Sequence, residues 1–143
     1  MDNNVIIISH WEVFDYVDND GVNQIREWSE GLEKRDLAKF NAKLDMLQKA
    51  GGSLPPKLLS HTGVPHIFKI RINGEVALRP FVCRGPINPE SEFTILVGAH
   101  EKDRKLIPSD AKRIAQERRN EIIKNDARRR KHEHVSSQPK KGL

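Results

Sequence analysis

Apolar and polar residues alternate along one short stretch near the middle of the chain. In residues 68–72, with the sequence FKIRI, the apolar side chains fall on every second position, and Lys69 and Arg71 lie between them. This period of two predicts a strand with an apolar face toward a core and a cationic face on its other side. Asn73-Gly74 follows at once, and it is the pair most typical of a two-residue hairpin turn, so we expect the chain to double back there.

Two further strands are predicted after this turn. The returning strand, Val76 to Cys83, would bring Arg79 beside the same cationic face, and its Pro80 indicates a bulge or an edge position. The next apolar run, Phe93 to Ala99, is apolar on both faces, which is typical of a central strand covered on both sides. This run would deliver His100 to the rim of the sheet.

The first half of the chain predicts strand material followed by a helical hairpin. Residues 5–8 and 11–17 have strand character, and the pattern leaves open whether they form one bent strand or two. Apolar residues then recur at helical spacing in 22–32 and 37–47, which indicates two amphipathic helices laid on the apolar face of the sheet. A last helix is expected to begin near Pro108-Ser109-Asp110, with Ser109 as its N-cap. The pattern as a whole predicts an α+β fold.

Composition fits one soluble domain. The chain has 143 residues and a formal net charge of +5, and it contains no apolar run of the roughly 20 residues that a spanning helix needs. Asp2 stands where a secretory signal would carry Lys or Arg, so we expect a cytoplasmic protein without a membrane partner. The single cysteine, Cys83, lies in a strand pattern, which favours a buried thiol over a reactive one.

The positive charge is concentrated at the carboxyl end. Residues 124–143 hold 7 Lys/Arg against 2 Asp/Glu, so the remaining residues are formally neutral. We therefore expect a domain over 1–125 and a basic tail over 126–143 that is disordered or ordered by a partner, and that governs affinity for an anionic partner more than chemistry. The alternative is a solvated helix followed by a disordered tail without a partner.

Several motifs together resemble a known family. The strand and loop ILVGAHEK (residues 95–102) precede Pro108 and a helix that holds Ala115 and Arg118. With Trp28 in the first helix and the order strand, helical hairpin, three antiparallel strands and helix, this stretch is similar to the RelE/ParE toxin superfamily of toxin-antitoxin systems, in particular its HigB-like, phage-derived branch. The resemblance covers about residues 22–123.

The resemblance implies a function. The usual activity of this superfamily is ribosome-dependent cleavage of messenger RNA, so the resemblance implies a metal-independent endoribonuclease whose partners are mRNA, the ribosome and a cognate antitoxin. The ParE branch offers gyrase binding instead. A different class of function stays open, a non-enzymatic module that uses the basic carboxy-terminal helix to bind nucleic acid or protein.

Metal-free RNA cleavage requires a proton acceptor, a proton donor and stabilisation of the charge at phosphorus. Arginine suits the last task because its planar fork pairs with phosphate oxygens, so Arg71 and Arg79 are candidate catalytic residues, with Lys69 beside them as an RNA contact. His100 is the candidate acid or base. The alternatives are a structural hydrogen bond for the histidine and pairing of the arginines with Glu75 or Glu92.

Other basic residues are candidate RNA contacts. Lys102, Arg104 and Lys105 lie in a charged loop that could grip the RNA backbone, and a solvated turn is the alternative. Arg84, set before Gly85-Pro86 at the end of a strand, is a further candidate. No cofactor or metal is expected, because His132-Glu133-His134 is too short a motif to indicate a zinc site.

Overall fold

Three helices and nine strands form the part of the chain that the computed structural model describes, residues 10–51 and 58–136. Their order is β1 Glu12–Tyr16, α1 Gln24–Glu30, α2 Lys34–Ala50, β2 Leu59–His61, β3 Ile67–Ile70, β4 Ala77–Leu78, β5 Phe81–Arg84, β6 Glu92–Val97, β7 His100–Lys102, β8 Lys105–Ile107, α3 Ala111–Lys124 and, after a short 3₁₀ turn at Asp126–Arg128, β9 Arg129–Lys131. The expected α+β class is confirmed. The possible strand over residues 5–8 lies outside the described residues.

The main sheet has six strands in the order β2-β3-β5-β6-β1-β9. Neighbouring strands run antiparallel except β1 and β6, which run parallel. The expected central position of the third apolar strand is confirmed, because β6 lies between β5 and β1 and all six of its residues are buried. The register of β5 and β6 shifts between Phe81 and Val82, where β6 has one extra residue, so the pairing is irregular close to Pro80.

The helical hairpin covers one face of this sheet, as the apolar stripes predict. Phe40 and Leu44 of α2 lie in one core cluster with Ile70 and Ile72, and Trp28 and Phe68 pack against it. Asn23 begins α1 by accepting a hydrogen bond from the Arg26 amide to its side-chain oxygen. Gly51 ends α2 at a φ of +56°, a conformation that favours glycine.

The opposite face of the sheet carries a second core under α3. Ile67, Phe81 and Leu96 pack there with Ala111 and Ala115 of α3. The expectation that this face of the sheet is cationic is therefore wrong for most of the face. Lys69 and Arg71 do lie on it, but the apolar stripe of α3 covers its larger part. The sheet is the middle layer of three, because both of its faces are apolar. Asp110, not Ser109, is the residue that precedes α3.

The connection at Asn73-Gly74 is longer than the expected two-residue turn. Ile72 and Leu78 exchange both backbone hydrogen bonds, so residues 73–77 form the loop between them. A two-residue turn with positive φ occurs instead at Asp103-Arg104, with φ of 54° and 66°, and joins β7 to β8. These two strands and β4 form a small second sheet in the order β4-β7-β8.

The described part of the expected tail, residues 126–136, belongs to the fold. Strand β9 pairs with β1, and the His132 amide donates to the Val13 carbonyl. Val135 is buried in the core under the helical hairpin. The expected boundary at residue 125 thus differs from the structure, because β1 has an edge that the basic segment completes. No helix in residues 10–51 or 58–136 has the length and apolar character needed to cross a membrane.

Candidate basic hairpin and histidine site

His100 lies at the base of the hairpin formed by β7 and β8. It pairs with Leu78 on one side and with Ile107 on the other. Its side chain is half-buried and forms part of the wall of a cavity of about 390 Å³ between α1, α2 and the small sheet. Trp28 and Leu32 lie in the same wall.

The hairpin carries three exposed cations. Lys102 and Lys105 are directly opposite each other, and Arg104 occupies the turn between them. Lys102 shares a face of β7 with His100 because alternate residues of a strand point the same way, and Lys105 shares that face as the cross-strand partner of Lys102. The loop expected from the sequence is therefore a structured hairpin that places two ammonium groups on the side of the histidine.

Arg79 is engaged in the interior. Its side chain is 6% exposed, and its Nε lies 3.2 Å from Glu101 Oε1. Its Nη1 donates to the Leu78 carbonyl at 2.7 Å, and its Nη2 donates to Asn73 Oδ1 at 3.2 Å. The arginine thus fastens the 73–77 loop to β7, and a phosphate would have to displace Glu101 to reach it. Pairing with a glutamate was the alternative expected for this residue, although the partner is neither Glu75 nor Glu92.

The other candidate arginines and the lysine are spread over the sheet. Arg71 is exposed, and Lys69 is half-buried in β3 with Phe81 as its cross-strand neighbour. Arg84 at the end of β5 is half-buried, and its guanidinium lies 5.5 Å from the Trp11 ring centroid. Because Arg71 and Arg79 alternate with residues of the helical-hairpin core, they point toward the α3 side, whereas His100 points toward the helical hairpin. The predicted catalytic set therefore does not converge on one point.

A chain of polar side chains that the sequence did not reveal joins β1, α2 and the segment after β9. Asp15 is buried, and its Oδ1 lies 2.8 Å from His132 Nδ1 while its Oδ2 accepts from Asn23 at 2.9 Å. His132 Nε2 lies 3.2 Å from His134 Nδ1, and His134 Nε2 lies 2.8 Å from Asp45 Oδ1. Three contacts link Asp15, His132, His134 and Asp45 in a row, and each needs one shared proton. Two neutral imidazoles supply only two N–H protons for these three contacts.

This polar chain borders a cavity of about 310 Å³ whose walls include Val13, Leu44 and Gln48. Asp15 and His132 are separated by 117 positions in sequence, and the pairing of β9 with β1 brings them together. The histidines are visible in the sequence, but the strand that precedes them and their carboxylate partners are not. In the part of the chain that the structure describes, no three His, Cys, Asp or Glu side chains are arranged to hold a metal ion.

Most arginines at the end of the chain are also bound within the fold. Arg129 pairs with the buried Glu92 at 2.5 Å. Arg128 donates to Glu121 at 2.7 Å and to the hydroxyl of Tyr16 at 2.9 Å. Burial, and then the hydrogen bond to Glu121, raise the pKa of Tyr16 from its ordinary value. The basic segment therefore supplies less free positive charge than its composition suggests.

Comparison of the chain with protein-family models, with curated proteins and with solved structures found no significant match.

Proposed function

We propose that this protein is a toxin-like endoribonuclease of the RelE/ParE type, which cleaves messenger RNA on the ribosome and is neutralised by a cognate antitoxin. Two kinds of support stand behind the proposal. The first is the motif resemblance together with the order of elements, a strand, a helical hairpin, antiparallel strands and a helix. The second, which carries the proposal, is the basic hairpin at the rim of the sheet.

The hairpin holds cations in an arrangement that costs folding stability. Lys102 and Lys105 face each other across the ladder, and like charges in that position are destabilising. Arg104 has a φ of 66°, which is unfavourable for a residue with a Cβ. A polyanion bound along the hairpin would offset both costs, because its phosphates would lie between ammonium groups that otherwise repel each other.

In this proposal His100 exchanges the proton of the ribose 2′-hydroxyl or of the leaving oxygen, and the two lysines stabilise the charge that develops at phosphorus. Arg71 and Lys69, which face the α3 side, and Arg84, at the end of β5, would contact only those parts of the RNA backbone that pass beyond the hairpin. Arg79 acts as a positioning residue, since its ion pair with Glu101 fixes the strand that carries His100. Cleavage would proceed through intramolecular attack of the 2′-oxygen, so it would leave a 2′,3′-cyclic phosphate and a 5′-hydroxyl.

One variant pair tests the role of the hairpin. Lys102→Ala/Lys105→Ala should weaken binding to ribosome-bound mRNA and lower the log-log salt slope by about 0.7 for each phosphate of the single strand that the variant no longer neutralises. The matched control is Lys49→Ala/Lys124→Ala, which removes two exposed lysines elsewhere. His100→Ala should retain binding and reduce cleavage by about a hundredfold or more. Equal binding by both lysine double variants, across a salt titration, would refute the proposed surface.

A non-enzymatic binding module is the second candidate, and one observation favours it. Arg79 is neutralised by Glu101 and points away from His100, so the residues expected to act together in cleavage are separated. In that case the hairpin would bind RNA or protein without chemistry. Wild-type protein that binds ribosomes through the hairpin, yet leaves mRNA intact during translation, would establish this candidate and exclude the enzyme.

A further inference from the structure

The cavity beside His100 has an apolar floor. Leu78 is fully buried beneath it, and the side chains of Trp28, Leu32 and Val76 are half-buried around it. Trp28 can lie against the strand because residue 98 is glycine: a Cβ there would collide with the indole ring. Phe40 also packs against this ring in a T-shaped arrangement, with centroids 5.2 Å apart. The aromatic wall is therefore fixed before any ligand arrives.

Three carboxylates surround this floor. Glu27 of α1 and Glu33 between the helices are exposed at the rim, and Asp36 in the first turn of α2 is deeper in the wall. Among the described residues that line the cavity, none is Lys or Arg. The cavity is thus locally anionic, although the whole chain is basic.

Asp36 provides an independent indication of a ligand. The residue is 2% exposed, and its Oδ1 is buried with no hydrogen-bond partner among the described residues. A buried carboxylate without a donor costs folding free energy unless a cation or a donor reaches it. Its place in the wall beside an aromatic ring matches what a guanidinium group requires: a carboxylate for its N–H groups and a π face for its plane.

We propose that this cavity is a docking site for an arginine side chain of a protein partner. The apolar floor accommodates the methylene stem, the Trp28 ring lies along the guanidinium, and Glu27, Glu33 and Asp36 provide the opposing charge. Nucleic acid is disfavoured on the helical-hairpin side of the cavity, where three carboxylates would repel phosphate, so RNA would reach His100 from the side of the β7–β8 hairpin. The site goes beyond the proposed RNA contacts, since its three carboxylates lie on the helical hairpin, and His100 is the one residue that the two sites share.

The test uses the two tryptophans as reporters. Only Trp11 and Trp28 are present in the chain, so their indole N–H signals can be followed by NMR in the full-length protein. N-acetyl-arginine amide should shift the Trp28 signal and leave Trp11 unmoved, with a millimolar Kd of the kind expected for one anchored side chain. N-acetyl-citrulline amide, which has the same shape without the charge, should bind at least about tenfold more weakly.

Variants of the glutamates at the rim distinguish arginine binding in the cavity from general attraction of a cation to the acidic helix surface. Glu27→Gln/Glu33→Gln keeps the side-chain shapes at two exposed positions, so the fold should persist, and it should weaken arginine binding about tenfold. Glu30→Gln, on the exposed side of α1 and outside the cavity lining, is the matched control and should bind as the wild type does.

Three results would overturn the proposal. The first is an unmoved Trp28 signal at about 50 mM arginine amide, well above the expected Kd. The second is equal loss of binding in the Glu30 control, which would show attraction to the acidic helix surface as a whole. The third is a shift of Trp28 by a short RNA but not by arginine amide, which would make the cavity a nucleotide site. Each result is independent of whether the protein cleaves RNA.

Discussion

Cys83 shows how strongly the sheet interior constrains a single side chain. It is fully buried in β5 under α3, and burial raises the pKa of its thiol from 9.0 to about 12. The sequence predicted a buried thiol, because the residue stands inside an apolar strand pattern, and this is confirmed. Inside the folded protein the thiol stays neutral at pH values where it ionises in the unfolded chain.

This difference predicts a dependence of stability on pH. The folded-state pKa is raised, so the contribution of Cys83 is complete below the unfolded pKa, near 9.0, and is lost as the pH rises toward about 12. We expect the free energy of unfolding of the wild type to fall more steeply between these values than that of Cys83→Ala. Denaturant unfolding of both proteins over a pH series measures this difference in the free energy of unfolding. Parallel curves, or rapid reaction of Cys83 with a thiol reagent in the folded protein, would contradict it.

For individual charged residues, the spacing of charges in the sequence did not identify the ion-pair partners. The cross-strand alternatives for Arg79 were Glu75 and Glu92, but its partner is Glu101, on a strand of the second sheet. That strand was expected to be a loop. The histidines at 132 and 134 were set aside as tail residues for the same reason, since nothing local indicates that β9 pairs with β1.

The segment after α3 is the element for which sequence and structure differ most. The arginine run in residues 128–130 has no apolar periodicity, so its composition is that of a tail. It becomes a strand because β1 offers an open edge, and because Arg129 meets the carboxylate of Glu92, whose Oε2 also accepts from the amides of Ile87 and Asn88. Long-range pairing of this kind is invisible to a local pattern.

Replacing one arginine of β9 should therefore destabilise the whole domain. Arg129→Met leaves Glu92 buried without its cation, and we expect a loss of about 3 kcal/mol in the free energy of unfolding. Arg130→Met, at the neighbouring exposed position, is the control and should change it by less than about 0.5 kcal/mol. Denaturant unfolding of the two variants checks this, and similar stability for both would mean that β9 is a dispensable edge.

The local sequence also failed to predict two turns. Asn73-Gly74 has the sequence typical of a two-residue hairpin, yet the loop spans residues 73–77, because Lys39 binds the Asn73 carbonyl and Arg79 binds its side chain. Asp103-Arg104 has no glycine, yet it forms the tight turn between β7 and β8. Tertiary contacts of Asn73 account for the first outcome.

For the molecule as a whole, the periodic segments were predicted well. The helical hairpin, the strands predicted from Phe68 and Phe93 and the last helix are where their patterns placed them. The strand predicted from Val76 to Cys83 is instead divided into β4 and β5, which belong to different sheets. The second core under α3 was not predicted, since a strand with Lys69 and Arg71 on one side resembles a solvent-facing surface. The candidate site was predicted only in part: its cations are exposed on a hairpin beside His100, while Arg79 is a structural ion pair.

The central claim is that this basic hairpin serves RNA cleavage. Its most direct test is to induce the wild-type protein and His100→Ala in growing bacteria and to map the 5′ ends of messenger RNA. We predict new 5′-hydroxyl ends within translated regions for the wild type, absent when translation is blocked, and at least about tenfold fewer for the variant at equal protein level. Identical 5′-end maps for wild type, variant and uninduced cells would contradict the claim.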